Sequence, residues 1–398
     1  AETASGAHDV RGGEPHSAKL VTTERPPRSP GVGGPAATVV AMSRQRLHLV
    51  VLFGGRSAEH DVSCTTAAHV LRAANPERYR ITAIGIDRDG HWHLAEDATR
   101  ALASGPDTLP GQLVPTGPAI GPDGLLTTAD PGTVTVVLPL LHGPLGEDGT
   151  MQGLLELADV PYVGSGVLGS ALSMDKAMAK DVLARHGIAQ ASWRSVRDDE
   201  LGPTLATSLI AELGLPLFVK PANMGSSVGV SKVRSADELN AALRLAFQYD
   251  EWAVVEEAIV GREIEVAVLG NRSPKASVPG EIIPGREFYD YEDKYLEDGA
   301  QLLIPAPLSA SESDEVRALA LRCFEALRCE GLARVDFFLE AATGRFLCNE
   351  INTIPGFTPI SMYPKMWIAS GMTYSGLLDE LVDLAIERHS RRRRNTSR

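Results

Sequence analysis

Residues 332–352 read LARVDFFLEAATGRFLCNEIN. Two apolar runs flank Ala342-Thr343-Gly344, a composition suited to a tight turn, so the stretch predicts a β-hairpin. With the turn centred at residue 343, Asp336 and Glu350 are equidistant from it and stand opposite each other on paired strands. Opposite residues share a sheet face. Asn352 lies two residues beyond Glu350, and Arg334 two before Asp336, so both join that face. Val335, Phe337, Cys348 and Ile351 then point the other way, into a core. Two carboxylates and an amide oxygen are hard donors, suited to Mg²⁺ held partly by nucleotide phosphates. A solvated hairpin face would carry the same residues, so the pattern needs support from elsewhere in the chain.

Residues 218–230, FVKPANMGSSVGV, supply some. An apolar strand delivers Lys220, and a small-residue loop follows. The loop fits neither G-x-x-x-x-G-K-[ST] nor G-x-G-x-x-G. It looks like a phosphate cradle of another spacing, with Lys220 preceding it. A second lysine, Lys176, lies in the stretch SMDK.

Upstream, Arg46–Phe53, Ile81–Ile86 and Val134–Leu141 read as buried strands, with a helix over Ala67–Ala74. Strands alternating with helices, with Gly at strand ends, predict an α/β fold with a parallel, doubly wound sheet. Ligands gather beyond the carboxyl ends of such strands. GGRSAEHDVS at 54–63 and HGPLGEDGT at 142–150 occupy those ends. Ser173–His186 reads as one helix closed by Gly187. Strands follow at Leu215–Lys220, Trp252–Glu257 and Glu263–Leu269, and a capping box at Ser235–Glu238 opens a helix. Residues 281–308 carry little regular pattern. A helix capped near Ser309 reaches about Leu327, and Tyr374–Arg388 is the last helix.

The chain has 398 residues, enough for two or three domains, with 43% hydrophobic and 5% aromatic residues. A net charge of -13 argues against nucleic acid as the main partner. Cys64, Cys323, Cys329 and Cys348 form no C-x-x-C and complete no zinc pattern, so they read as reduced, buried thiols. No apolar run approaches the ~20 residues needed to span a bilayer. Residues 1–43, rich in Gly and Pro, are expected to be a disordered extension. Arg391–Arg394 open a basic tail over 391–398, expected to be solvated.

In order along the chain stand GGRSAEHDVS, HGPLGEDGTMQG, YVGSGVLGSALSMDK, FVKPANMGSSVGV, YDYEDKYL, RVDFFL and NEINTIPGFTPISMYP. Together they resemble the D-alanine–D-alanine ligases of the ATP-grasp superfamily, over roughly residues 46–388. The resemblance implies an α/β, three-domain ATP-grasp architecture: a doubly wound N-terminal substrate domain at 44–172, a central domain at 173–257 and a C-terminal domain at 258–390. ATP is gripped between the last two, both α+β.

It also implies residue roles. Lys176 and Lys220 match the lysines on the ATP phosphates, and Ser226, Ser227, Val228 and Gly229 the flap that closes over them. Glu256 and Glu257 match the strand that holds the adenine and ribose side, and Glu263 a ribose-binding carboxylate. Asp336, Glu350 and Asn352 match ligands for two Mg²⁺ ions, for which Mn²⁺ substitutes. Arg334 matches the arginine that steadies the transferring phosphate, and Gly356 a backbone N–H at the oxyanion. Glu59 matches the anchor for the first D-alanine's ammonium. His142 and Glu147 line that pocket, while Ser361 and Met362 clamp the second D-alanine's carboxylate. Lys294 and Tyr295 match an ω-loop that reaches Glu59 and Ser226. The implied enzyme is a cytoplasmic homodimer serving peptidoglycan synthesis. The open alternatives are D-alanyl-D-lactate or D-alanyl-D-serine formation on the same fold, and a non-catalytic nucleotide-binding ATP-grasp protein.

Overall fold

A computed structural model describes residues 46–105, 108–122, 124, 132–285 and 300–392. The expected extension at 1–43 and the ω-loop residues Lys294 and Tyr295 lie outside these residues.

The first sheet follows from β1 (Leu47–Gly54), whose successive side chains are apolar on both faces. Leu49, Val51 and Phe53 enter one core, Val50 and Leu52 another. β2 (Tyr79–Ile86) and β5 (Thr135–Pro139) flank β1 in parallel. β3 (Trp92–Leu94) and β4 (Ala119–Ile120) extend the far edge antiparallel, which departs from an all-parallel sheet. The cause is local. Asp87 Oδ1 accepts from the Asp89 and His91 amides at 3.0 and 2.9 Å, and Gly90 takes a φ of 91°. This short turn can only reverse the chain, since a parallel crossover needs a dozen residues. The helices are α1 (His60–Ala73), α2 (Glu96–Ser104) and α3 (Thr150–Leu157). α1 starts seven residues before the expected Ala67, so Glu59 stands at its N-cap.

The expected single helix over 173–186 is two, α4 (Val167–Met174) and α5 (Lys176–Arg185). Asp175 separates them, because its side chain accepts from the Met178 amide at 3.0 Å and caps α5. Lys176 is therefore the first residue of a helix, and its amide donates to Ala222 O at 2.9 Å.

The second sheet is antiparallel, with β6 (Trp193–Arg197), β7 (Leu217–Pro221), β8 (Ser231–Val233) and β9 (Trp252–Glu257) in the order β6-β9-β7-β8. α6 (Leu205–Leu213) and α7 (Ala236–Ala246) cover one face, burying Leu209, Val219, Leu243 and Val255. The flap at 222–230 joins β7 to β8.

The third sheet comprises β10 (Gly261–Gly270), β11 (Lys275–Ala276), β12 (Gly280–Ile283), β13 (Gln301–Leu303), β14 (Gly331–Glu340) and β15 (Phe346–Asn352). Its order is β13-β12-β10-β14-β15, with β11 beside β10. β12 and β13 occupy part of the stretch expected to be irregular. α8 (Ala310–Ala326) opens on a full Ser309/Glu312 capping box and packs on this sheet.

β14 and β15 form the expected hairpin, and Asp336 does pair with Glu350. The route differs from simple counting. Leu339↔Phe346 and Phe337↔Cys348 fit a turn centred between 342 and 343, whereas Asp336↔Glu350 fits a centre at 343. A β-bulge at Asn349 makes up the difference. Regular alternation would put Cys348 and Glu350 on one face. With the bulge, Cys348 enters the core and Glu350 turns away from it.

α9 (Met362–Ala369) and α10 (Tyr374–Arg392) complete the chain. α10 runs four residues past the expected Arg388, and its last turn is held by ion pairs, although Arg392 stays exposed. Arg388 is 2% exposed, lies 4.0 Å over the Tyr162 ring and 3.5 Å from Glu156 Oε1. Arg392 reaches Glu156 at 2.6 Å, Arg391 pairs with Glu330, and His389 meets Asp159 at 2.9 Å. The basic turn thus clamps the end of α3 and the approach to β14. Arg388→Leu should cost ~2–4 kcal/mol, from a lost desolvated cation–π contact and a broken buried pair. A lower urea midpoint with unchanged activity per folded molecule is the expected result. Among the described residues no helix is long and apolar enough to cross a membrane.

Candidate active site

The site forms where the three sheets meet. On the hairpin, Arg334 grips Asp336 with two bonds, Nε to Oδ1 at 2.8 Å and Nη2 to Oδ2 at 2.7 Å. Asn352 Nδ2 donates to Asp336 Oδ2 at 3.1 Å, which leaves its amide oxygen to face outward. Glu265, in register with Asp336 on β10, lies 3.1 Å from Arg334 Nε. Burial works against the guanidinium's charge, but Asp336 and Glu265 outweigh it and hold the proton firmly. Asp336, Glu350 and Asn352 are hard oxygen donors on one face of paired strands, which fits a Mg²⁺ ion.

The lysines face this hairpin. Lys220 Nζ donates to Asn349 Oδ1 at 3.2 Å and pairs with Glu256. Glu256 is 3% exposed, and its other oxygen lies 2.9 Å from Lys180 Nζ in an ion pair. Burial alone would raise the Glu256 pKa, yet Lys180 and Lys220 bring it down to about 2. Its carboxylate therefore serves the lysines first. Lys220 is buried too, but Glu256 and Glu350 push its pKa up. Lys176 moves the other way, because burial and the charge of Lys220 exceed the pull of Glu350. Its ammonium donates to Met224 O at 2.5 Å and so holds the base of the flap. Glu263 is near enough to act on Lys220 electrostatically. The Glu257 carboxylate accepts from the Ser192 amide at 2.7 Å.

In the flap, Ser226 and Ser227 adopt φ of 50° and 59°, a left-handed conformation sparsely used outside glycine. Gly225 lies against Glu59. A Cβ there would lie 3.1 Å from Glu59 Oε2. Glu59, Gly143, Gly225, Ser226 and Val228 line one cavity of about 410 Å³. Gly229, at φ 72°, closes the flap against Pro221 and Tyr249.

Beside that cavity, Glu147 accepts from the Gly143 amide at 2.8 Å. Burial, and then the charge of Glu59, push its pKa up to about 8. The folded chain therefore holds a proton that the unfolded chain releases near 4.5. Stability should fall as pH rises from about 4.5 to about 8. In Glu147→Gln, melting temperatures across pH 5–8 should lose part of that slope.

His142 is 5% exposed, and its Nδ1–H donates to Ile354 O at 2.9 Å. In the neutral ring that bond leaves Nε2 as the acceptor, and Nε2 has no protein partner among the described residues. Gly356 abuts Ser361, whose Oγ would lie 3.1 Å from an added Cβ. Ser361 occupies the N-cap position of α9, but its Oγ makes no capping bond to the helix and instead lies 2.8 Å from Thr358 Oγ1. Met362 buries its side chain against Gly280, so what it offers the site is its amide at a helix start.

Of the expected residues it describes, the structure gathers Arg334, Asp336, Glu350 and Asn352 on the hairpin near Lys220 and Glu256, and Glu59, Ser226 and Val228 around one cavity beside Glu147, while the Glu257 carboxylate turns to the Ser192 amide. Lys180, Glu265 and Asn349 were not expected. Lys180 follows Lys176 by four, on the same helix face, and Glu265 follows Glu263 by two, on the same strand face. Those spacings were the available signals.

The family profile described as "D-ala D-ala ligase N-terminus" matches residues 48–165, and "D-ala D-ala ligase C-terminus" matches 182–383. The chain is 48% identical over 347 residues to a D-alanine–D-alanine ligase of Solibacter usitatus, covering 86% of this chain and 97% of that protein. It is 46% identical over 356 residues to D-alanine–D-alanine ligase A of Chromobacterium violaceum, covering 86% and 96%. The D-alanine–D-alanine ligase structure from Coxiella burnetii superposes with a TM-score of 0.73 at 37% identity, covering 87% and 95%. The VanG D-Ala:D-Ser ligase from Enterococcus faecalis gives 0.73 at 35%, covering 86% and 100%. With both family profiles matched and the hairpin, flap and lysines in one site, this chain belongs to the D-alanine–D-alanine ligase family.

Proposed function

We propose that this protein joins two D-alanines with ATP, through a D-alanyl phosphate, to supply D-alanyl-D-alanine for peptidoglycan precursors. The observation that carries the reading is the pairing of Asp336 with Glu350 beside Arg334, facing Lys220 across Asn349. In this reading the three sheets are the three ATP-grasp domains, at 44–172, 173–257 and 258–390. The enzyme works in the cytoplasm as a homodimer.

A carboxylate resists an amine at neutral pH, because its carbonyl is a poor electrophile and oxide a poor leaving group. Transfer of the γ-phosphoryl to the first D-alanine's carboxylate replaces that leaving group with phosphate. Glu59 anchors the ammonium of this D-alanine, with Glu147 and His142 lining the pocket. Lys176 and Lys220 neutralise charge spreading over the phosphoryl oxygens. Asp336, Glu350 and Asn352 would hold Mg²⁺ (or Mn²⁺), which supplies charge neutralisation when bound. Ser361 and the Met362 amide hold the second D-alanine's carboxylate while its amine attacks. Arg334 and the Gly356 N–H stabilise the tetrahedral oxyanion, and phosphate departs. Acyl phosphates hydrolyse, so the flap at 225–229 must exclude water, held shut by Lys176 at its base and by Gly225 against Glu59.

The test is phosphate release from ATP with D-alanine, D-lactate and D-serine offered together and the product identified. Release that requires D-alanine, with the D-Ala-D-Ala dipeptide as product, supports the reading. A depsipeptide or a D-Ala-D-Ser product, or no D-alanine-dependent release, would sink it.

A further inference from the structure

The bulge at Asn349 raises a question of economy. Extra residues in a ladder break pairing, and they persist where they re-aim a side chain. Without the bulge, Asp336 would face residue 349, and a carboxylate there would complete the face directly. Instead the chain inserts one residue, and the insertion places two consecutive side chains on the site side. Glu350 stands opposite Asp336. Asn349 turns its amide oxygen to Lys220 Nζ, 3.2 Å away.

We propose that Asn349 is a positioning residue for Lys220, and that the bulge exists to supply it. The proposal rests on the reading of Lys220 as a phosphate-contacting lysine. The chemistry of the acceptor matters. Lysine carries a compact charge on a flexible four-carbon stem, so one partner leaves it free to swing. Lys220 has two partners on separate elements, Glu256 on β9 and Asn349 on β15. Glu256 shares its charge with Lys180, and Glu350 and Glu263 also act on Lys220, so the lysine already has enough carboxylates around it. An amide oxygen directs the ammonium without adding another negative charge, which would repel phosphate. Because Asn349 adjoins Glu350 in the chain, the lysine and the metal face are also kept in fixed relation.

The experiment measures the affinities of ADP and of adenosine by calorimetry, with Mg²⁺ present, for wild type, Asn349→Ala and Lys220→Met. ATP steady-state kinetics and Mn²⁺ binding by electron paramagnetic resonance accompany them. Asn349→Ala should weaken ADP about five- to tenfold, the size of one ordinary hydrogen bond, because Asn349 acts on the phosphates through Lys220 and not directly. Adenosine affinity and Mn²⁺ affinity should stay within about twofold, with KM for ATP rising as ADP affinity falls and kcat falling several-fold as well, since Lys220 also meets the transferring phosphoryl. Wild-type ADP affinity in Asn349→Ala overturns the proposal while Lys220→Met binds ADP weakly. An equal loss of ADP, adenosine and Mn²⁺ overturns it too, since that marks collapse of the hairpin. Unchanged ADP affinity in Lys220→Met would instead remove the phosphate role of Lys220, and the proposal with it.

Discussion

Arg334→Met is expected to lower kcat by about 10²–10³, the usual cost of one donor aimed at a developing oxyanion, while Mn²⁺ binding holds or tightens. The second half is the sharper test. Arg334 occupies both oxygens of Asp336 at 2.8 and 2.7 Å, so it competes with any cation for that carboxylate. Removing it leaves Asp336 and Glu265 facing each other, 2% and 1% exposed, with no guanidinium between them. Such a pair favours either a shared proton or a bound cation. Thermal stability of the variant should therefore fall in chelator and recover with Mg²⁺ by more than in wild type. A kcat within tenfold of wild type, or a weakened Mn²⁺ affinity, would refute the role given to Arg334.

Glu350→Gln is the second large effect. It removes one carboxylate from the proposed cation face, and metal affinity should fall by more than the 10–100-fold typical of a ligand's supporting partners. It also acts at a distance. Glu350 raises the pKa of both Lys176 and Lys220. Burial already lowers that of Lys176, so without Glu350 this lysine should lose its proton at a lower pH still. The alkaline limb of the kcat/KM profile should shift down in pH, and saturating Mg²⁺ should not restore it. An unshifted limb would show that the lysine charges are set elsewhere.

The hairpin shows what the sequence makes legible. Its turn residues and its apolar alternation located Asp336 opposite Glu350, yet the count succeeded because two offsets cancelled. The turn is centred half a residue earlier, and the bulge at Asn349 restores the register. Bulges leave no reliable mark in a sequence, because they answer to what the strand faces. The break between α4 and α5 is similar. Apolar periodicity runs through Asp175, and only its cap to Met178 shows that a second helix begins. Lys180 and Glu265 went unnoticed for another reason. Each is a charged residue in a regular element, and its meaning lies in a partner far along the chain, Glu256 or Arg334. The seven ordered motifs were legible because each is local: a glycine that must turn, a lysine at a strand end, an acid at a helix start.

The clamp made by α10 has a consequence for how the chain matures. Leu377, Leu378, Leu381, Val382 and Ala385 of this helix fill the same core as Leu49, Val51 and Phe53 of the first strand. Domains generally fold in order of synthesis, but here the face of the opening sheet that α1 covers is completed only when α10 packs beside it. Nascent protein that has not reached residue 374 lacks that part of the cover and leaves some of the apolar face exposed, where a chaperone would find it. Maturation of the first sheet is thus tied to synthesis of α10, more than 300 residues downstream, and a product lacking that helix betrays itself at its first strand.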